Sequence, residues 1–294
     1  MATRLTELLL AVALLQGRTF SVPNTQGQSI WLSKGHSVVV TSPWGAAPGI
    51  QYETWIDLAS GAMETKIVPG ADLPIGTTRN GAIVRYEPRM FSYNGNEKQT
   101  SGDVRNSVGT TTSQGGVLVT QLSNHLLDVC SDKWHRLCLI SSKLLVYHAA
   151  VSPDGSRMFA IGLTPRNVVQ AVDEPGVDWI EYELPKGGVL ASGQLRGPLG
   201  DRIWRTDNSI CFVGADRVAF LATRDESWTT DSSGLGRSDL MVLDLKSKRT
   251  RFVAKATTQC GPASTRYAGS ESIASDGDYI AVLGMRRVVV FAVH

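Results

Sequence analysis

Most of the features that announce a chemistry are missing from this chain of 294 residues. It has no Gly-x-Ser-x-Gly turn, so the elbow that presents a nucleophilic serine in many hydrolases has no counterpart. It also lacks a Gly-x-x-x-x-Gly-Lys phosphate loop and a Gly-x-Gly-x-x-Gly helix start, which removes two common nucleotide cradles and leaves no cofactor to expect. Neither sign of charge dominates: 29 Lys and Arg against 27 Asp and Glu leave a net +2, far from the basic stripe that neutralises nucleic-acid phosphates. The short basic runs Lys246-Ser-Lys-Arg249 and Arg286-Arg287 read as a solvated hairpin turn and a strand edge. There is no Asn-x-Ser/Thr sequon. Beyond the N-terminal residues, no segment approaches the ~20 apolar residues that a membrane span requires.

Glycine, by contrast, is abundant: 29 of them, with 12 prolines, are scattered along the whole chain. Evenly spread turn formers mean many short strands. At 42% hydrophobic and 19% charged, the chain has ample material for a core and no mark of disorder.

The repeats are the informative signal. Val151-Ser-Pro-Asp-Gly-Ser-Arg-Met-Phe-Ala-Ile-Gly162 and Ile273-Ala-Ser-Asp-Gly-Asp-Tyr-Ile-Ala-Val-Leu-Gly284 both set an Asp-Gly turn before an apolar strand that ends in glycine. Such a turn suits a tight type I′ hairpin, whose two central residues need positive φ. Weaker copies begin at Gly214 and Lys34. A second motif, Trp55-Ile-Asp-Leu-Ala-Ser-Gly61 and Val242-Leu-Asp-Leu-Lys-Ser-Lys248, has a looser relative at Trp179–Leu184. The unit is turn, strand, loop, strand, turn, strand. These runs resemble the WD40-like and YVTN-type β-propellers, clearly over 148–184 and 208–294, plausibly over 30–68 and poorly over 95–147.

That resemblance implies an all-β propeller of about six four-stranded antiparallel blades, closed by pairing of the N- and C-terminal strands. Ser29-Ile-Trp-Leu32 is the expected closing strand. Residues 22–294 would form the single domain. Residues 1–21, with the apolar run Leu8–Leu15 behind Arg4, read as a secretory signal peptide or as an N-terminal helix, secretion being slightly favoured. Glu97–Gln114 and Thr223–Asp239 read as long polar loops.

Within this frame the chemical candidates are few. His125, Cys130, His135 and Cys138 have zinc-capable side chains but no familiar zinc spacing; a Cys130–Cys138 disulfide and plain thiols are the alternatives. Cys211 reads as core, and all five histidines read as structural. Trp31, Trp55, Trp179 and Trp204 read as packing residues. Trp44 and Trp228 fall in polar stretches and are candidate partner contacts, the latter framed by Arg224, Asp225, Asp231 and Arg237. The function expected is non-catalytic: a scaffold that holds a protein partner on one propeller face. An extracellular glycan-binding propeller, and a hydrolase or lyase with a site in the central funnel, are the alternatives.

Overall fold

The computed structural model describes residues 17–22, 30–33, 37–42, 50–69, 73–77, 83–87, 90–93, 97–100, 111–131, 135–164, 176–203, 205–223, 239–255, 273–284 and 287–293. Among them are 24 strands and no helix.

The chain enters on β1 (Arg18–Ser21) and then runs through antiparallel meanders. Blade I holds β2 (Ile30–Ser33), β3 (Ser37–Ser42), β4 (Ile50–Asp57) and β5 (Met63–Pro69). Blade II holds β6 (Leu73–Thr77), β7 (Ile83–Glu87), β8 (Met90–Tyr93) and β9 (Glu97–Thr100). Blade III holds β10 (Thr111–Gln114), β11 (Val117–Ser123), β12 (Leu126–Ser131) and β13 (Arg136–Ser141). Blades II and III touch edge to edge through one parallel pair, Ser113 opposite Gly76. Blade IV holds β14 (Leu145–Val151), β15 (Arg157–Leu163), β16 (Asp178–Glu183) and β17 (Val189–Gln194). Blade V holds β18 (Arg205–Val213), β19 (Arg217–Thr223), β20 (Asp239–Asp244) and β21 (Arg249–Lys255). Blade VI holds β22 (Ile273–Ser275), β23 (Tyr279–Gly284) and β24 (Arg287–Ala292), with β1 added outside β24.

The first strands of successive blades lie against one another, β2 on β6, β6 on β10, β10 on β14, β14 on β18, β18 on β22, and β22 back on β2. This cyclic order of four-stranded antiparallel sheets is that of a β-propeller. The polar stretch Glu97–Gln114 is correspondingly not one loop, since β9 and β10 occupy its two ends.

Closure uses Arg18–Ser21 rather than Ser29–Leu32. β1 pairs with β24 in the register Arg18 opposite Val290 to Ser21 opposite Arg287, while Ile30–Ser33 opens blade I. Local packing favours this choice. A Cβ on Gly17 would fall 2.4 Å from Val289 and 2.9 Å from Phe291, so only glycine lets the chain lie this close. Phe20 packs on the cluster that holds Val22, Ile56, Leu58 and Val288, and the Arg18 guanidinium donates to the Leu58 carbonyl of blade I. The propeller thus takes in residues 18–21, which the sequence assigned to a leader or helix.

Burial follows distance from the ring axis. The second strand of blade IV and the third of blade V are buried on both faces, Arg157–Leu163 and Asp239–Asp244, because each face meets another blade. The described fourth strands β13, β17 and β21 are mostly exposed. The core therefore sits between blades. Phe159, Ile161 and Trp179 of blade IV pack on Phe212, Phe220 and Met241 of blade V, and the Phe159 and Trp179 rings stack at 5.3 Å. Each such fully buried side chain contributes roughly 1.5–3 kcal/mol.

The Asp-Gly turns are not type I′ hairpins. Gly155 and Gly277 have φ of 73° and 102°, but neither preceding aspartate lies in the left-handed region. Asp154 instead works through its side chain: Oδ1 accepts from Ser152 Oγ (2.6 Å) and Ser156 N (3.0 Å), and Oδ2 from Ser156 Oγ (2.7 Å). The glycine has a separate duty. A Cβ on Gly155 would sit 2.5 Å from the Gly115 carbonyl oxygen of blade III, so the two turns lock backbone to backbone. Gly162, which ends the repeat, would likewise place a Cβ 2.0 Å from the Leu145 oxygen.

Replacing Gly155 with alanine forces a clash with backbone as well as a positive φ, and is expected to cost about 3 kcal/mol in urea melts. Gly200→Ala, with φ of 82° and nothing within 4 Å of the new Cβ, is the control. It should cost about 1 kcal/mol; equal losses would contradict the interlock.

Candidate functional site

An antiparallel blade returns its chain at alternate ends, so connections between first and second strands and between third and fourth strands share one end. The repeat motifs populate that end. Asp154 lies between β14 and β15, Asp276 between β22 and β23, Asp57 at the end of β4 and Asp244 at the end of β20. In the last two, Oδ1 accepts from both the backbone N and the hydroxyl of a serine three residues on, Ser60 at 2.6 and 2.7 Å and Ser247 at 2.7 and 2.8 Å. These bonds hold both carboxyls below the usual carboxylate range. In the looser relative the turn is held through the backbone instead, with Gly187 N donating to the Glu183 carbonyl at 2.7 Å.

Beside Asp154 the chain builds a charge bridge between blades IV and V. Arg157 donates Nη1 to Glu181 (2.8 Å) and Nη2 to Asp216 (3.2 Å), with its guanidinium 5.8 Å from the Phe212 ring centroid. Lys246 closes on the other Asp216 oxygen at 2.5 Å. Glu181 is buried, so removing Arg157 would leave a carboxylate without its counter-charge, the costly way to break such a pair.

The His and Cys candidates are spread rather than gathered. His125 sits in the turn before β12, its Nδ1 2.8 Å from the Leu144 oxygen. Cys130 lies at the far end of that strand, five residues on, which at strand rise is about 16 Å away. His135 precedes β13, where its carbonyl accepts from Ser131 N at 2.8 Å. Among the described residues no three His, Cys, Asp or Glu side chains come together as metal ligands. Cys130 and Cys138 are thiols, not a disulfide. Cys138 stands opposite Val129 and shares its face, packing on the blade III–IV cluster, while Cys130, the next residue along, is turned to the other face. Cys211 is a thiol packed on the blade V–VI cluster, as core placement requires.

Trp44, Trp228, Arg224, Asp225, Asp231 and Arg237 lie outside the described residues, as do His36, His294 and Cys260. Trp179 is core, as expected. Trp55 is not. It lines an open groove of about 280 Å³ on the rim of blade I with Asp57, Ala62, Met63, Glu64 and Lys66. Its Nε1 donates to Glu53 at 3.4 Å, and the Lys66 ammonium stands 5.6 Å from the ring centroid, 3.3 Å from Glu64. Strand parity holds the missed signal, because Trp55 alternates in step with Glu53 and Asp57 rather than with Ile56. The groove sets one aromatic face among three charged side chains, Asp57, Glu64 and Lys66.

One overlay on a solved structure agrees with this architecture. The chain overlays a chain of the crystal structure of the mitotic checkpoint complex at a TM-score of 0.51, with 8% identity over 95% of this chain and 92% of that one. A structure of PorZ, a surface component of the type-IX secretion system of Porphyromonas gingivalis, overlays at a TM-score of 0.45 and 10% identity, covering 94% of this chain and 34% of that one. No family model matches the chain. No curated protein matches it by sequence. The likeness is one of fold.

Two measurements check these assignments. Burial raises the Asp154 pKa, but the bonds from Ser152 and Ser156 and the Arg157 charge outweigh it and leave the carboxyl below its ordinary value. A depressed folded pKa gives stability that is present above the unfolded value, near 4, and is lost as pH falls through the folded one. Asp154→Asn should therefore lower stability at pH 7 and flatten the acid limb below about pH 4 in pH-dependent melts; an unchanged acid limb would contradict it. Burial, and after it the Asp128 charge, pushes the Cys138 thiol up. Iodoacetamide at pH 8 should label Cys138 more slowly than an exposed thiol, and a Cys130–Cys138 cross-linked peptide in a non-reducing digest would refute the thiol assignment.

Proposed function

We propose that this chain is a non-catalytic propeller that holds a protein partner on the face formed by its second-to-third-strand connections. Trp44, Trp228, Arg224, Asp225, Asp231 and Arg237 supply contacts in this reading. The observation that carries it is where the repeat chemistry goes: Asp57, Asp154, Asp244 and Arg157 are engaged in holding turns and joining blades. The motifs build a rigid platform, and recognition falls to the connections grafted on it. Trp44 stands in the sequence between β3 and β4, and Trp228 between β19 and β20, so both belong to the same type of connection. The mitotic checkpoint chain with this architecture is itself part of a complex, which agrees with such a role.

A second reading, glycan binding, is favoured by the exposed Trp55 groove, whose indole face and flanking carboxylates match what a sugar ring requires.

Cross-linking mass spectrometry of the full chain in its native extract, compared with a Trp44→Ala/Trp228→Ala variant of unchanged melting temperature, separates the two. Loss of a reproducible cross-linked protein in the variant is the expected result. Glycan-array binding that survives this variant and disappears in Trp55→Ala would overturn it in favour of the second reading.

A further inference from the structure

Blade V carries an outer strand unlike the others. Of the ten residues 246–255, Lys246, Lys248, Arg249, Arg251 and Lys255 are cationic, and none is Asp or Glu. Three other outer strands differ: Lys66 pairs with Glu64 on β5, Arg136 of β13 binds Asp128, and β17 is uncharged. Around β21 the available carboxylates are few. Asp216 is shared by Lys246 and Arg157, Asp244 accepts from Ser247, and Asp239 stands opposite Lys255.

The cations are also aligned. Arg217, Asp244 and Arg249 stand abreast on β19, β20 and β21, and Arg251 follows two residues on, so all four side chains leave the same face of the blade. Partial burial and then the charge of Arg217 hold the Arg251 guanidinium below the usual arginine value, so like charges are kept together at a cost. On the opposite face Phe252 is 40% exposed. β21 ends its sheet, bonded on one side to β20, and among the described residues no strand pairs with its other edge.

Lysine on an edge strand ordinarily repels further strands. Arginines on one face and an exposed phenylalanine on the other amount to something more selective, a strand edge matched to one alternating sequence. We infer that β21 docks an extended acidic segment of a protein partner, which adds as a fifth strand to blade V. Its carboxylates meet Arg249 and Arg251, and its alternate apolar residues cover Phe252. This goes beyond the loop-face reading and stands on β21 alone.

The test uses the full chain and a fluorescein-labelled peptide of alternating Glu and Val, followed by anisotropy and by hydrogen exchange. Binding is expected, weakened by salt and absent for the Lys-Val counterpart. Arg249→Gln/Arg251→Gln, which keeps side-chain bulk, should weaken it about tenfold. Lys66→Gln on β5 should leave it unchanged. Amides of 249–255 should gain protection in the complex, which a surface charge contact alone would not produce. Three results would overturn the proposal: no binding, binding indifferent to the arginine pair, or binding without edge protection that a single-stranded oligonucleotide of equal charge reproduces. The last would make the strip a polyanion surface.

Discussion

The inner strands Arg157–Leu163 and Asp239–Asp244 are buried on both faces, and that single constraint organises the molecule. A sheet with one wet face can stand against a helix or a partner sheet, but a strand such as Arg157–Leu163, buried on either side, needs a neighbour on each. The blades satisfy one another in sequence, which leaves the first and the last each short of a neighbour unless the row bends into a ring. The cyclic contact of the first strands shows the row has done so. β1 then completes the last blade, while Arg18 reaches across to Leu58 in the first.

Because the core lies between blades, the polar devices lie there too. The Gly115–Gly155 contact sets how closely blades III and IV approach. Arg157, Glu181 and Asp216 tie blades IV and V together. These groups look like chemistry in a sequence and act as joinery in the fold. With the polar devices placed between blades, the connections and the outer strands are where a partner can be met without disturbing the packing.

Much of the architecture was legible because strand alternation and turn composition are local properties. The Asp154 and Asp276 repeats and the Asp57 and Asp244 repeats occupy equivalent turns, as their spacing implied. The errors have physical sources. Composition cannot distinguish an Asp that adopts positive φ from one that bonds its own turn, so Asp154 was assigned the wrong turn type. The apolar run Leu8–Leu15 drew residues 18–21 into a leader or helix, when the decisive fact was the approach of Gly17 to Val289 and Phe291, more than 270 positions away. Trp55 was counted as core by residue type, although the parity of Glu53 and Asp57 placed it with the charged side chains. Long-range proximity also decided the His and Cys set, since residues five apart in sequence stand at opposite ends of β12.

The pairing of β1 with β24 also has a temporal side. Ribosomal synthesis releases Arg18–Ser21 about 270 residues before their partners Val288–Val290. Until β24 has been made, β1 has no strand partner, and the row of blades keeps an uncovered apolar flank at its growing end. Contacts this far apart in sequence carry the highest closure entropy and form slowly. The nascent chain is therefore most prone to wrong pairing in the interval before β24 emerges.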